Sequence, residues 1–349
     1  MPALPAEALA FHHECLVLDL HVDTLLWTRL FGYDFASAHR NRLPRAPFGW
    51  HVDLPRAREG GLRAAVLGLV VNPRQVRSEL ILPLKILARI ERGAGIEQTL
   101  ATLALWEAAE RAHPEALAFV RSGSELRRAV TEGRFAGLAC LEGSHGLEGR
   151  IENLRRAHER GLRMLGLVHF QSTEAARPMT VAAFDGQGLT DFGYELLTEV
   201  EALRIVVDLA HLNAAGVDDV LARVRRPCVA SHTGCRALHD HPRNLTDAQI
   251  RRIADGGGVV GIAVGTSFLG NGSLESFLDH VEHLLRVGGA DVPALGSDWD
   301  GFIVPVRGME DVRCLPQVTA GLLARGVPPE TLRKLLGENA LRVLTEVCG

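Results

Sequence analysis

Lysine is nearly absent from this chain of 349 residues, although Lys and Arg together number 38. Only Lys85 and Lys334 occur, and both lie in stretches whose apolar residues follow a helical period. A lysine that forms a Schiff base with its substrate must project into a site. The sequence therefore argues against that class of enzyme.

Cysteine pairs, targeting signals and long apolar runs are also missing. The six cysteines have no C-x-x-C spacing, which indicates free thiols in a reducing compartment, not a disulfide framework or a structural zinc site. The N-terminus has no basic segment followed by an apolar one, and no stretch approaches the roughly 18 uninterrupted apolar residues of a membrane span. We therefore expect a cytoplasmic protein that does not bind the membrane.

Charge of one sign is not in excess. The 38 Lys and Arg residues are balanced by 42 Asp and Glu residues, and the pI is about 6.4. The sequence contains no long run of like charges. This balance predicts no nucleic-acid partner and no attraction to an anionic membrane.

Short apolar runs rich in β-branched residues alternate with stretches of helical period, and Thr190, Thr246 and Ser273 are placed as helix N-caps. The runs cover residues 16–21, 64–71, 136–142, 164–170, 204–211, 228–232, 259–264 and 293–298. Strands that alternate with helices pair in parallel, and eight of them predict a (β/α)8 TIM barrel.

The absence of repeats and linkers favours a single domain over residues 1–349. The Gly- and Pro-rich segment 32–62 interrupts the alternation and predicts a long loop excursion after the first strand, which helps to wall the site. The apolar stretch from Leu335 to Val347 is expected to be a helix that closes the outer layer of the barrel.

Six of the eight apolar runs end in a side chain that can bind a metal or transfer a proton. These side chains are His21 with Asp23, Glu142, His169, His211, His232 and Asp298. A single buried histidine is more often a hydrogen-bonded core residue than a ligand. Chance would scatter such residues along strands, helices and loops, whereas the active site of a barrel lies at the carboxyl ends of its strands.

Histidine and carboxylate ligands suit Zn²⁺, and less well Mn²⁺, Fe²⁺ or Co²⁺. The set is too large for one tetrahedral ion, whereas two ions about 3.5–4 Å apart can share a carboxylate. Some barrel hydrolases use a modified lysine as that bridge. Because neither lysine here is suitably placed, Glu142 is the candidate bridge.

Six motifs together resemble the renal (membrane) dipeptidase family of the amidohydrolase superfamily. They are LDLHVDT at 18–24, LEGSHGL at 141–147, VDLAHLN at 207–213, ASHTGCRALHDHPRNLTD at 230–247, LGSDWDG at 295–301 and LLGENALRVL at 335–344. Their order and spacing cover nearly the whole chain. The resemblance implies a zinc-dependent dipeptidase that hydrolyses the peptide bond of dipeptides with a hydroxide bridging the two metals.

The resemblance also implies residue roles. His21 and Asp23 would bind one zinc, His211 and His232 would bind the other, and Glu142 would bridge the two. Asp298 would transfer protons, His169 would polarise the substrate carbonyl, and Arg243 would bind the terminal carboxylate of the dipeptide. A homodimer is expected from the resemblance alone.

Two positions depart from the family pattern. Val22 replaces the usual Asn between the first His and Asp, and its side chain is expected to point away from the metals. Residues 170–177 differ from the segment that usually shapes the substrate pocket, so a related amidase, lactamase or lactonase is one alternative function. A barrel homologue that has lost catalysis is the other.

Overall fold

Eight parallel strands close into a barrel, and a ninth strand pairs with one of them at the amino-terminal end of the barrel. In the computed structural model, residues 4–40, 45–47, 50–71, 95–179 and 186–349 are described. The strands are β1 (Val17–Val22), β2 (Leu62–Val70), β3 (Leu117–Val120), β4 (Phe135–Glu142), β5 (Leu162–Gly166), β6 (Val206–Asp208), β7 (Val229–Thr233), β8 (Val259–Ile262) and β9 (Pro293–Leu295).

The barrel closes because β4 pairs with β2 as well as with β5. The order around the barrel is β1, β2, β4, β5, β6, β7, β8 and β9, and β9 pairs with β1. β3 pairs only with the first half of β4, from Phe135 to Leu138, and β5 pairs with the second half. The predicted (β/α)8 barrel is confirmed, and its eight predicted runs correspond to the eight strands that close it. β3 was not predicted.

Helices surround the barrel. They are α1 (Ala6–Glu14), α2 (Thr24–Phe31), α3 (Leu54–Glu59), α4 (Gly95–Ala112), α5 (Gly123–Thr131), α6 (Ile151–Glu159), α7 (Asp191–Ala202), α8 (Ala214–Arg223), α9 (Asp247–Asp255), α10 (Thr266–Leu269), α11 (Leu274–Gly288), α12 (Leu315–Ala324), α13 (Pro329–Arg333) and α14 (Asn339–Cys348). The predicted caps are confirmed, since the side chains of Thr190, Thr246 and Ser273 accept backbone hydrogen bonds at the starts of α7, α9 and α11. Among the described residues, no helix is both long and apolar enough to cross a membrane.

The interior of the barrel is filled by apolar side chains from alternate positions of the strands. Leu18 and Leu20 of β1 pack there with Val66 of β2 and Leu138 of β4. The same cluster includes Leu344 and the other buried residues of α14. The expectation that the C-terminal helix belongs to the outer layer was therefore wrong: α14 packs across the amino-terminal end of the barrel and closes its interior.

The excursion between β1 and β2 contains α2 and α3. Its described part meets the turn after β9, where the carboxylate of Asp300 accepts hydrogen bonds from the backbone N–H of His51 at 2.7 Å and from the hydroxyl of Thr24 at 2.7 Å. Asp53 caps α3 and binds the guanidinium of Arg56. The excursion is thus tied to a loop at the carboxyl end of the barrel.

His12 on α1 predicts an acid sensitivity of the fold. The ring is buried, and its Nε2 donates to the carbonyl oxygen of Gly60 at 2.8 Å while Nδ1 lies 2.7 Å from the hydroxyl of Thr319. Burial lowers the pKa of His12 from 6.5 to about 4. Because the unfolded state binds the proton more tightly, stability is full above the unfolded pKa and is lost as the pH falls from 6.5 towards 4.

We expect the free energy of unfolding to fall by about 2 kcal/mol more between about pH 7 and pH 5 in the wild type than in His12→Gln, measured by urea denaturation. His13→Gln, which makes the same change one residue along on a half-buried ring, is the control. Equal pH dependence in the wild type and His12→Gln would contradict this prediction.

Candidate metal centre

The seven ligand-type side chains predicted from the sequence meet at the carboxyl end of the barrel, and all are buried. They are His21, Asp23, Glu142, His169, His211, His232 and Asp298. His21 and His232 lie within β1 and β7, and Glu142 is the last residue of β4. The others follow the ends of their strands by one to three residues.

Glu142 lies at the centre of this cluster. Its Oε1 is 3.0 Å from Nε2 of His211, 3.5 Å from Nε2 of His232, and 3.6 Å from Nε2 of both His21 and His169. Nε2 of His211 is also 2.9 Å from Nε2 of His232. The Glu142 carboxylate therefore lies within reach of His21 on one side and of His211 and His232 on the other, as a bridging ligand must.

The end of β1 changes the direction of its side chains. Leu18 and Leu20 point into the interior of the barrel, and the pairing with β2 is irregular between Asp19 and Val22. This irregularity lets His21 and Asp23 both face the cluster, with Nε2 of His21 3.2 Å from Oδ1 of Asp23. Val22 packs into the outer core, away from the cluster, as expected.

The second and seventh predicted strands, which end without a ligand-type residue, each carry a glycine whose missing side chain leaves space for a neighbouring strand. A Cβ at Gly68 on β2 would lie 2.1 Å from Oδ1 of Asp23 and 3.0 Å from the ring of His21. A Cβ at Gly261 on β8 would lie 2.1 Å from the carbonyl oxygen of Ser231. Both positions exclude any larger side chain.

A buried hydrogen-bond chain orients His232. The hydroxyl of Ser231 donates to the carboxylate of Asp208, and Nδ1 of His232 lies 2.8 Å from the same hydroxyl oxygen. A carboxylate only accepts, so the hydroxyl retains a lone pair for the N–H at Nδ1 of His232. This arrangement leaves the lone pair of Nε2 directed at Glu142 and His211.

Asp298 lies in a strained turn after β9. Asp298, Asp300 and Phe302 all have positive φ angles, of 63°, 69° and 61°. The backbone N–H of Asp298 donates to the carbonyl oxygen of His21 at 3.1 Å, and a Cβ at Gly301 would lie 2.1 Å from Oδ1 of Asp298. Backbone strain of this kind persists where the surroundings hold it and is concentrated at functional sites.

Arg243 reaches the cluster from the loop after β7. Its Nη2 donates to the carbonyl oxygen of His232 at 3.0 Å and lies 3.2 Å from Nε2 of His211. Its guanidinium carbon lies 5.4 Å from the centre of the Phe268 ring. The Nε of Arg243 is buried and has no partner within the described part of the chain, so one edge of the guanidinium can bind a ligand.

Burial controls the protonation of the imidazoles. It holds the pKa values of His169, His211 and His232 well below their ordinary value, and neighbouring cationic groups reinforce the effect. Burial also acts against the charged form of His21, but the carboxylates of Asp23 and Glu142 outweigh it and raise that pKa to about 10. Three rings are therefore neutral, which is the form that binds metals.

The buried carboxylates outnumber the positive charges around them. Burial raises the pKa values of Glu142 and Asp298 well above their ordinary range, and Asp23 adds to both shifts. Among the described residues of the cluster, protonated His21 and Arg243 face three buried carboxylates and offset them only in part. Cations bound here would supply the missing charge.

The donor atoms fit metal ions. Several are buried and have no hydrogen-bond partner among the described residues: both ring nitrogens of His21, Oδ1 of Asp23, Oε2 of Glu142 and Nδ1 of His211. Three overlapping groups hold ligand atoms within 4.8 Å of one another: His21, Glu142 and His232; Glu142, His169 and His211; and His21, Asp23 and Asp298. Nitrogen and oxygen donors in this number suit a pair of divalent transition metals.

A cavity of about 380 Å³ opens over the cluster. Its polar lining includes Asp23, Glu142, His169, Arg243 and Asp298. The rest is mainly apolar or aromatic: Val70, Phe170, Met179, Phe268, Phe302, Ile303 and Val304. This is the volume of a small-molecule site.

The sequence analysis set aside a modified lysine as the bridge in favour of Glu142. Lys334 lies in the π-helical turn Lys334–Glu338 and binds Asp291 at 2.7 Å, far from the cluster along the chain and at the other end of β9. Lys85 lies outside the described residues. The sequence analysis missed the supporting residues Asp208, Ser231 and Gly68. Ser231 directly precedes His232 and Asp208 is the last residue of β6, so strand period could have found both, whereas the role of Gly68 depends on how β2 packs against Asp23.

Comparison with known proteins agrees with this geometry. A sequence profile of the membrane dipeptidase family, Peptidase family M19, matches residues 6–348. A relative from Klebsiella pneumoniae named "Uncharacterized protein in pqqA 5'region" is 33% identical over 237 residues, covering 65% of this chain and 87% of the relative.

Two crystal structures are similar over nearly the full length. Dipeptidase AC, a metallopeptidase, has a TM-score of 0.82 at 29% identity, covering 96% of this chain and 99% of its own. A metallopeptidase from Rhodobacter sphaeroides with a phosphinate mimic of the dipeptide L-Ala-D-Ala has a TM-score of 0.81 at 29% identity, covering 95% and 99%. The chain belongs to the membrane dipeptidase family, Peptidase family M19.

Proposed function

We propose that this chain is a single-domain dipeptidase that uses two zinc ions to hydrolyse the peptide bond of dipeptides. The observation that carries the proposal is the position of Glu142, whose Oε1 lies within 3.0–3.6 Å of four imidazole nitrogens, two on strands and two in the loops after two other strands. Membership of the family and the dipeptide mimic bound to the Rhodobacter sphaeroides relative support the same substrate class.

The residues divide into two ligand pairs and one shared ligand. His21 and Asp23 would hold one ion, His211 and His232 would hold the other, and Glu142 would be the ligand that both share. The neutral state of His211 and His232 and the unpartnered oxygen of Glu142 suit these roles. When bound, two zinc ions supply a nucleophile at neutral pH by lowering the pKa of water, and they polarise a carbonyl group.

The other polar residues act on the substrate. Neutral His169 has its Nε2 near Glu142 and can donate its N–H to the oxygen of the scissile carbonyl as negative charge develops there. Asp298 accepts a proton from the attacking water and delivers it to the departing amine. Arg243 binds the terminal carboxylate of the dipeptide through its planar fork.

Arg243→Ala is expected to raise KM for dipeptides by about 10- to 100-fold with a smaller change in kcat, because a charge-assisted hydrogen bond contributes about 1.5–3 kcal/mol. The measurement is steady-state kinetics on a dipeptide and on the same dipeptide with a C-terminal amide. The wild type should prefer the free carboxylate, and the variant should lose that preference. An unchanged preference in Arg243→Ala would contradict carboxylate binding by this residue.

The proposed function is tested by metal content and a substrate panel. Protein stripped by a chelator is reconstituted with Zn²⁺, its zinc is counted, and it is assayed on L-Xaa-L-Xaa dipeptides, L-Xaa-D-Xaa dipeptides, β-lactams and lactones. We expect two zinc ions per chain and chelator-sensitive hydrolysis of dipeptides. Hydrolysis of β-lactams or lactones alone would favour a lactamase or lactonase. The absence of any zinc-dependent hydrolysis would favour a non-catalytic homologue.

A further inference from the structure

One side of the cavity is built from apolar side chains, and we call Val70, Phe170 and Phe302 the apolar wall. These three residues pack in one cluster with Leu26 and Leu30 of α2, and Leu26 and Val70 are almost fully buried. The Phe302 ring also packs against Trp27, with 5.4 Å between ring centres. All three members of the apolar wall line the cavity over the metal centre.

The apolar wall is centred on β2, opposite Arg243 across the barrel mouth: Phe170 follows β5 and Phe302 follows β9, and each of these strands is two positions from β2 and two from β7. Val70 ends β2, and Arg243 follows β7. In the order of the eight strands that close the barrel, β2 and β7 are four positions apart, which is half of the circuit. Glu142 ends β4, which lies between β2 and β7 in this order. A ligand that extends from Arg243 across the metal centre therefore ends at the apolar wall.

Phe302 is held in place at a conformational cost. Its φ angle of 61° lies in the left-handed region, which a bulky side chain rarely adopts. It directly follows Gly301, which must lack a side chain because a Cβ there would lie 2.1 Å from Oδ1 of Asp298. The turn that presents Asp298 thus also fixes the Phe302 ring against the cavity.

The side chains of the apolar wall carry no charge and no hydrogen-bonding group. The guanidinium of Arg29 lies behind the wall and is engaged there by the carbonyl oxygen of Val70 at 2.6 Å and the hydroxyl of Thr102 at 2.7 Å, and it is not among the described residues that line the cavity. Ionisable groups do line the cavity, but they belong to the metal centre, to Asp298, or to the Arg243 side with His241. An acidic or basic side chain placed against the apolar wall would lose its hydration without gaining an ion pair. A branched or aromatic side chain there would bury apolar surface.

Building on the proposed function, we infer that the apolar wall binds the side chain of the N-terminal residue of the dipeptide. With its terminal carboxylate on Arg243 and its scissile carbonyl over the metal centre, a dipeptide places that side chain between Val70, Phe170 and Phe302. The substrate class is therefore dipeptides with an apolar N-terminal residue. Dipeptides that begin with Asp, Glu, Lys or Arg are discriminated against.

The test is kcat/KM for matched dipeptides with the zinc-loaded full chain. We expect kcat/KM for Leu-Ala to exceed that for Asp-Ala and Lys-Ala by at least about tenfold. A single methylene group in an apolar pocket already changes kcat/KM by about 10- to 200-fold. Phe302→Asn should lower the Leu-Ala to Ala-Ala ratio about tenfold and leave the Ala-Leu to Ala-Ala ratio unchanged. Asn tolerates the left-handed backbone, so the turn is preserved.

Phe31→Asn is the matched control, because Phe31 is exposed and does not line the cavity. It should leave both ratios at their wild-type values. Hydrolysis of Asp-Ala or Lys-Ala as fast as Leu-Ala by the wild type would overturn this inference and leave the dipeptidase standing. Failure of the zinc-loaded wild type to hydrolyse any dipeptide would overturn the proposed function itself.

Discussion

Asp298→Asn is expected to lower kcat for dipeptide hydrolysis by about 10²- to 10⁴-fold while zinc content stays at two ions per chain. Asp298 is buried beside His21 and Asp23, and burial raises its pKa, which suits a group that takes up and releases a proton. Asparagine keeps the shape and the strained turn but cannot carry the proton. The measurements are steady-state kinetics and zinc stoichiometry on the same preparation.

This variant also separates two roles that the distances allow. Ligand atoms of Asp298, His21 and Asp23 lie within 4.8 Å of one another, so a metal-ligand role for Asp298 predicts a loss of zinc along with activity. Asp291→Asn is the matched control, since Asp291 precedes β9 at the other end of the barrel and is largely exposed. Normal activity in Asp298→Asn would refute proton transfer by Asp298.

Glu142→Gln is expected to abolish the paired metal centre. The substitution removes a buried negative charge and turns an N–H₂ group towards atoms that must bind cations. Loss of an outer-shell partner costs about 10- to 100-fold in metal affinity, and loss of the shared ligand should cost more. We expect fewer than two zinc ions per chain after dialysis and no detectable dipeptide hydrolysis.

The folding of Glu142→Gln provides an internal control. Burial raises the pKa of Glu142, so its ionised form is costly in the metal-free protein, and a neutral amide avoids that cost. The metal-free variant should therefore be at least as stable as the metal-free wild type, while the rise in Tm on adding zinc should shrink. Glu174→Gln makes the same change on an exposed carboxylate and should leave zinc binding intact. Two tightly bound zinc ions in Glu142→Gln would contradict the bridging role.

Much of the site could be predicted because ligand chemistry depends on side-chain type and strand period. His21 and Asp23 are two residues apart at the end of an apolar run, and Glu142 closes another, so a parallel barrel brings them to one end. The irregular pairing of β1 was not predictable, because it depends on register with β2 and not on the residues of β1 alone. The positive φ of Asp298 was likewise not predictable, because it belongs to a turn in which Gly301 packs against Asp298.

The C-terminal segment shows the limit of periodicity. Its apolar residues correctly indicate a helix from Leu335 to Val347, and the structure has a π-helical turn followed by α14 there. A helical period shows that one face is buried but not what covers it. The helix α14 packs across the amino-terminal end of the barrel because the apolar side chains of Leu18, Val66 and their neighbours are uncovered there. These side chains come together only when the barrel has closed.

The sequence by itself determined the barrel, the order of the strands and the residue types that can bind metals, because these follow from local periodicity and side-chain chemistry. The tertiary structure alone decided that one oxygen of Glu142 lies among four imidazoles, that Gly68 leaves room for Asp23, and that the apolar wall and Arg243 line the same cavity. These contacts join residues far apart in the chain. They exist only after the barrel has closed through the non-local pairing of β2 with β4.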